Sequence, residues 1–189
     1  LDIKNWKKVS DDTSEFLSQY HDIPFKGEVP ENITPNSPVR NYPYYMNFAG
    51  ERLLITGGGH IANRLDRPGT IMAFENNTWN SFQEEGISEQ TKHRYDDINC
   101  IVQDPKDATH HFAASAGEGI YEFKDGKFIN WYSMHNSPLE SAVPNEPWAD
   151  SYVRVNGLIY DKENNLWMVS CETQHAVSVL MKNGDWASL

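Results

Sequence analysis

Residues 56–69 (TGGGHIANRLDRPG) contain the residue types that could most readily do chemistry. Three consecutive glycines indicate a backbone that another group approaches closely. One histidine and three charged residues follow them: His60, Arg64, Asp66 and Arg67. A phosphate-binding loop is excluded, because no Gly-Lys-Ser/Thr follows and no helix is predicted behind the glycines. Two interpretations remain. One is a long loop between strands held by an Arg–Asp pair; in the other, Arg64 and Arg67 bind an anionic or glycan group.

A second candidate is the stretch 145–154 (NEPWADSYVR), which places Trp148, Tyr152 and Arg154 in or beside one long loop. Exposed aromatic rings stack on sugar faces, and arginine reaches anionic groups. The alternative is that Trp148 fills a gap between neighbouring sheets. The predicted ligand-binding residues are therefore Arg64, Arg67, Trp148, Tyr152 and Arg154.

Metal and catalytic chemistry receive little support from the sequence. His110 and His111 are adjacent, and adjacent residues of a strand point to opposite faces, so the pair is a poor chelate. Residues 161–165 (DKENN) lack the spacing of a calcium loop and are predicted to form a β-turn. The carboxylate pairs at 84–85 and 96–97 are expected of any acidic chain, and no Ser–His–Asp or Cys–His order is present. We predict no metal, no cofactor and no enzymatic activity.

The composition restricts the classes of partner. The 189 residues carry a net charge of −11, which repels phosphate backbones and argues against nucleic acid. Hydrophobic residues make up 39%, enough to bury a core, but no run approaches the about 18 apolar residues of a membrane helix. Cys100 and Cys171 lie in apolar runs without a CxxC spacing, which favours free buried thiols over a disulfide.

One phrase recurs in residues 101–128 and 160–186: an apolar run, a polar turn, two more apolar runs and a turn followed by an aromatic residue. Three such endings, NNTW, DGKF and NGDW, finish at Trp79, Phe128 and Trp186, and each is predicted to be a two-residue hairpin turn. Each unit therefore contains four short strands in sequence order. Serial four-strand units predict an all-β fold, a partial β-propeller of about three four-stranded antiparallel blades. An ordinary meander sheet or sandwich is the alternative.

The units are predicted at 41–82, 95–132 and 152–189, in a single partial-propeller region that spans 1–189. Residues 1–40 are predicted to hold the end of a preceding blade, at Asn5–Trp6, and a long loop with at most a short helix at 12–20. Because this start lacks a methionine and resembles a blade remnant, we expect a piece of a longer propeller. The apolar faces of its terminal blades are then expected to pack against the remaining blades or a second copy.

The phrases at 160–170 (YDKENNLWMVS) and 97–107 (DINCIVQDPKD) resemble the two-component-regulator propeller repeat of Bacteroidetes sensor proteins, in which an Asp-x-x-Gly-x-Leu-Trp phrase recurs. Residues 115–141 and 152–167 are similar to PorZ-like surface propellers of the type IX secretion system. The resemblance covers roughly 45–189, and its specific parts are the Asn-Ser-Pro-Leu loop and the Tyr-Val-Arg-x-x-Gly-Leu strand entry.

The resemblance implies a seven-bladed propeller of which this chain holds about half, located in the periplasm or at the outer-membrane surface. It implies binding rather than catalysis: lipopolysaccharide handling and docking of secretion-system partners. The alternative that it leaves open is the periplasmic propeller of a hybrid histidine kinase that recognises oligosaccharides. Either function implies a glycan-like ligand.

Overall fold

The computed structural model describes residues 36–59, 64–83 and 85–189, and these form three separate antiparallel sheets of four strands each. The strands are β1 Tyr45–Ala49, β2 Arg52–Thr56, β3 Ile71–Glu75, β4 Thr78–Ser81, β5 Ile98–Asp104, β6 Asp107–Ser115, β7 Ile120–Lys124, β8 Lys127–Tyr132, β9 Val155–Tyr160, β10 Leu166–Ser170, β11 Val177–Leu180 and β12 Trp186–Ser188. Within each sheet the strands are neighbours in sequence order. The predicted all-β fold of three four-stranded blades is confirmed.

Two of the three predicted hairpin turns have the expected two-residue form. Asn76 and Asn77 have φ angles of 51° and 59°, and Asp125 and Gly126 have φ angles of 52° and 71°. Positive φ at both central residues is the type I′ geometry, which matches the twist of paired strands. The prediction is wrong for the third turn, because β11 and β12 are joined by five residues, 181–185. There the Gly184 amide donates to the carbonyl of Met181, so a separate β-turn lies inside a wider hairpin.

The sheets lie side by side, and the first strand of each contacts the first strand of the next. Alternate residues of the middle sheet belong to different cores. Ala113, Tyr121 and Phe123 pack towards the first sheet, whereas Phe112 and Ala114 pack towards the third. Both faces of the middle sheet are therefore buried, which is the arrangement of a propeller blade between two neighbours.

Because consecutive strands are antiparallel, the connections between them fall into two groups, one at each end of the strands. The upper loops, defined here as 57–70, 82–97, 116–119, 133–154 and 171–176, follow the second and fourth strands of each blade. The lower loops are 50–51, 76–77, 105–106, 125–126, 161–165 and 181–185, after the first and third strands. All five predicted ligand-binding residues lie in or directly beside the upper loops.

One helix, α1 Ile87–Thr91, was not expected from the sequence. Five residues are too few for stability from helix propensity, but the Ile87 side chain is fully buried and fixes the segment by packing. No helix among the described residues is long and apolar enough to cross a membrane. The predictions for Asn5–Trp6, for a helix at 12–20 and for His60 concern residues outside the described part of the chain.

The outer face of the third blade, formed by Ile159, Trp167, Val169 and Val177, points away from the middle blade. Ile159 is 67% exposed and Val169 is 46% exposed. A continuous apolar face of this kind is uncommon on the surface of a monomeric protein.

Candidate functional site

The three glycines that follow β2 allow a close approach, as predicted, but the approaching group is the chain's own backbone. The Gly58 amide donates to the Ile98 carbonyl at 2.8 Å. A Cβ at Gly58 would lie 2.3 Å from that carbonyl oxygen and 2.4 Å from the carbonyl carbon of Asp97. The glycines thus let an upper loop of the first blade pack on the start of β5.

Residues 65–67 of this loop are held by Asp97. Its carboxylate, which is almost completely buried, accepts hydrogen bonds from the backbone amides of Leu65, Asp66 and Arg67 at 3.0, 3.0 and 3.1 Å. The predicted Arg–Asp pair within the loop is not what fixes it. Asp66 instead pairs with Arg94 in the next upper loop, with an Nη2–Oδ1 distance of 2.5 Å.

A buried ion cluster joins three upper loops beneath the surface. The carboxylate of Glu118 is fully buried and accepts a hydrogen bond from Arg64 Nη1 at 3.1 Å, while His93 Nδ1 lies 3.4 Å from its second oxygen. Gly117 leaves the space that the guanidinium fills, because a Cβ there would lie 1.9 Å from Arg64 Nη2. A buried carboxylate requires such partners, so Glu118 ties the loops of the first and second blades together.

The Tyr152 ring makes cation–π contacts with two guanidinium groups. Arg64 is 5.3 Å from the centroid of the Tyr152 ring, and Arg154 is 4.9 Å from it. Arg154 also pairs with Glu172 at 2.7 Å, and both arginine side chains are only 15% exposed. The structure therefore brings three of the predicted residues together, as an internal stack in which each arginine has a carboxylate partner.

The other two predicted residues lie apart from this stack. Arg67 is 5.0 Å from the centroid of the Tyr42 ring and donates to the Gly58 carbonyl at 3.4 Å. Trp148 is 53% exposed, so it does not fill a gap between blades. The 3-10 turn Ala149–Ser151 that follows it has its first residue buried, and this anchors the loop while the indole stays at the surface.

Trp148 borders an open cleft of about 700 Å³ between two upper loops. The wall opposite the tryptophan loop contains consecutive basic residues, Lys92, His93 and Arg94, and the acidic residues Glu89 and Asp150 also line the cleft. This Trp148 cleft combines an exposed indole with two cations, Lys92 and Arg94, and two carboxylates. Arg94 also pairs with Asp66 and Asp96. Residues 92–94 were not singled out from the sequence, although three adjacent basic residues in an acidic chain were a usable signal.

Asp66, Asp96 and Asp97 are the described residues whose carboxylate oxygens converge, within 4.8 Å of one another. Burial raises the pKa of Asp96 to about 6, although the Arg94 guanidinium, 2.6 Å away, opposes that shift. The oxygens already accept three backbone N–H groups and face Arg94, so a metal ion would have to displace partners from the chain itself. The arrangement is that of a loop anchor.

No known family model and no curated protein matches the sequence. A solved structure does: PorZ of Porphyromonas gingivalis, an essential bacterial surface component of the type IX secretion system. The TM-score is 0.74 and the sequence identity 25%, over 84% of this chain and 21% of PorZ. The chain resembles PorZ in structure. It spans about a fifth of PorZ's length, so the similarity concerns the fold of these blades, and the sequence-based resemblance to PorZ-like propellers is confirmed at that level.

Proposed function

We propose that this chain is part of a non-enzymatic propeller at the bacterial surface or in the periplasm, which binds a glycan-like ligand at the Trp148 cleft and serves a PorZ-like role in type IX secretion. The observation that carries the proposal is the exposed indole of Trp148 beside Lys92 and Arg94. The similarity to PorZ, a surface component of that system, supports the location and the secretion role.

The chemistry of the cleft favours a sugar over other ligands. An exposed indole offers a flat apolar surface on which the C–H face of a sugar stacks. Basic groups beside it suit the sparse acidic groups that lipopolysaccharide sugars carry. The net charge of −11 and the carboxylates of Glu89 and Asp150 in the cleft disfavour a strongly polyanionic ligand, so we expect a sugar with few negative charges, which Lys92 would meet.

The predicted residues then divide between contact and support. Trp148 contacts the sugar, while Arg64, Tyr152 and Arg154 hold the loops that present it. Function concentrates on loops that a rigid scaffold positions, and this stack ties the loop of Trp148 to the first two blades. Arg67 anchors the neighbouring loop through Tyr42.

The test is binding of the Trp148→Ala variant to a glycan array and to purified lipopolysaccharide. We expect affinity to fall about tenfold or more, a loss of about 1.4 kcal/mol, with an unchanged melting temperature because the ring is exposed. Tyr44→Ala is the matched control, because Tyr44 is 48% exposed and lies outside the cleft. Lys92→Gln should weaken binding of acidic glycans only. Unchanged binding by Trp148→Ala would refute the proposal.

A second candidate function is the ligand-sensing propeller of a hybrid histidine kinase that recognises oligosaccharides. It is supported by the phrase at 160–170, in which Asp161 accepts a hydrogen bond from the Trp167 indole at 2.7 Å. Deleting the gene separates the two candidates. Loss of type IX cargo at the surface supports the secretion role, whereas an intact cargo profile with a lost transcriptional response to oligosaccharide supports the sensor.

A further inference from the structure

A second cavity lies on the opposite side of the molecule, between the middle and third blades. Its volume is about 270 Å³, and it opens among the lower loops. The middle blade contributes His110, Phe112, Glu122 and Tyr132, and the third blade contributes Tyr160 and Trp186. We call this space the lower cavity. It shares no lining residue with the Trp148 cleft.

The polar floor of the lower cavity is formed by two carboxylates, one imidazole and one phenol. His110 Nε2 lies 2.6 Å from Glu122 Oε1, and the Tyr132 hydroxyl donates to Glu122 Oε2 at 2.9 Å. His110 Nδ1 lies 3.5 Å from Asp104 Oδ2. The hydrogen bond with Glu122 raises the pKa of His110, so the imidazole carries its charge more readily. Two carboxylates therefore face one imidazolium on this floor, and Lys182 elsewhere in the lining brings the total to two acidic and two basic groups.

The two tyrosines that line the cavity have raised pKa values. Burial, followed by the charge of Glu122, raises the pKa of Tyr132 to about 12. Burial and the nearby carboxylates, Asp104 first among them, also raise the pKa of Tyr160. Both hydroxyls therefore stay protonated at neutral pH and add no negative charge to the cavity.

Asp104 has room for a stronger partner. Its Oδ2 has two long contacts, 3.5 Å to His110 Nδ1 and 3.4 Å to the side-chain amide of Asn164. Its side chain is only 13% exposed, so water does not fully compensate. A cation in the cavity could therefore lie against this oxygen without displacing a short hydrogen bond.

Aromatic rings make the walls around these carboxylates. The Tyr132 and Trp186 rings are 5.4 Å apart in an edge-to-face arrangement, and the Phe112 and Tyr132 rings are 6.3 Å apart. Ring faces attract cations, most strongly where water is displaced. The volume corresponds to about nine waters at ~30 Å³ each, which limits a ligand to roughly ten non-hydrogen atoms.

We propose that the lower cavity binds a small organic ammonium ion, held by Asp104 and Glu122 and enclosed by the aromatic rings of Tyr132, Tyr160 and Trp186. Lys182 lines the same cavity. The positive charge of Lys182 would weaken binding of a cation and strengthen binding of an anion. Removing that charge therefore tests whether the ligand is a cation or an anion. The proposal depends on different loops from the glycan site and stands independently of it.

The test is a titration of the full chain with choline, followed by tryptophan fluorescence and isothermal calorimetry. We expect saturable millimolar or tighter binding. Asp104→Asn and Glu122→Gln, which keep the size of each side chain, should each weaken it about tenfold. Glu163→Gln is the matched control, because Glu163 is an exposed carboxylate of the 161–165 turn outside the cavity. Lys182→Met should strengthen binding several-fold.

Circular dichroism and the melting temperature of each variant separate loss of the site from loss of the fold, and Lys182→Met provides a gain that misfolding cannot mimic. Three results would overturn the proposal. The first is the absence of saturable choline binding to the folded wild-type chain. The second is equal weakening by Glu163→Gln. The third is tighter binding of a neutral hexose than of choline, with no effect of Asp104→Asn.

Discussion

At the scale of single residues, the adjacent histidines of β6 show how position decides chemistry. His110 lies beside Glu122, whose hydrogen bond raises its pKa. His111 is 2% exposed and packs edge-on against Phe82, with ring centroids 4.7 Å apart. Burial lowers the pKa of His111 to about 4. Successive strand residues point to opposite faces of the sheet, so the two imidazoles enter different cores, and their pKa values shift in opposite directions.

We expect His111 to make the protein acid-sensitive. Its folded-state pKa lies below the unfolded value of about 6.5, so the unfolded chain binds the proton more readily and stability falls as the pH drops from about 6.5 towards 4. The full loss is on the order of 3 kcal/mol. His111→Leu should flatten the profile in that window, as measured by urea unfolding at pH 4, 5, 6 and 7.

His110→Gln provides the contrast. The raised pKa of His110 means that its stabilising contribution is complete below about pH 6.5 and is lost as the pH rises through the folded-state value. The variant should therefore lose stability at acid pH and little at alkaline pH. Parallel profiles for the two histidine variants would contradict the assignment of opposite shifts.

At the scale of elements, the turn between β9 and β10 explains the spacing of Asp161 and Trp167 in the sequence motif at 160–170. The Asp161 carboxylate accepts hydrogen bonds from the Asn165 amide at 2.8 Å and from the Trp167 indole at 2.7 Å. Asn164 between them has a φ of 71°, a conformation that glycine and asparagine tolerate best. The indole bond is the main reason that the pKa of Asp161 falls to about 2. The phrase therefore encodes a turn.

The upper loop after β2 offers an element-scale prediction. Gly58→Ala should cost about 3 kcal/mol or more, because the new Cβ would clash with the backbone of Asp97 and Ile98, which cannot move without disturbing β5. Gly126→Ala is the control: Gly126 also has a demanding backbone, with φ of 71°, but a Cβ there meets open space. It should cost only about 1–2 kcal/mol. Urea unfolding of both variants measures the difference, and equal losses would contradict it.

At the scale of the whole molecule, the repeat shows which apolar blade face has no neighbouring blade among the described residues. Val102, Phe112 and Ala114 of the middle blade face the third blade, and by the order of the repeat they correspond to Ile159, Trp167 and Val169. The first set is covered by the third blade, whereas Ile159 and Val169 are largely exposed. Because the two faces have the same apolar pattern, we expect the face of the third blade also to pack against a neighbour. That neighbour is either a further blade or, for this chain alone, a second copy.

We therefore expect the chain to self-associate through the outer face of the third blade. Sedimentation velocity at micromolar concentrations should show dimers or larger species, and Ile159→Lys should shift them to monomers because it buries a charge in the contact. Ile129→Lys is the control, since Ile129 is also exposed, at 52%, but lies on the last strand of the middle blade. A wild-type chain that stays monomeric across that range would argue against this surface.

The sequence by itself determined the strands, their order and two of the three hairpin turns. These features depend on neighbours a few positions apart: apolar runs of strand length, and a polar pair such as Asp125–Gly126 that adopts positive φ. Repetition then made the blades recognisable without any structure. The third hairpin was mistaken because Asn183–Gly184 can serve a two-residue or a longer turn, and local pattern does not decide between them.

Only the tertiary structure decided what the loop residues do. Arg64 meets Glu118, 54 positions away, and the loop at 65–67 is fixed by Asp97, about 30 positions on. Such pairs form after the blades pack, so no local spacing encodes them. Packing buried Arg64 and Arg154 against carboxylates, left Trp148 exposed and placed basic residues opposite it. Desolvation and distance, which a sequence does not contain, separated the residues that hold the loops from the one that can meet a ligand.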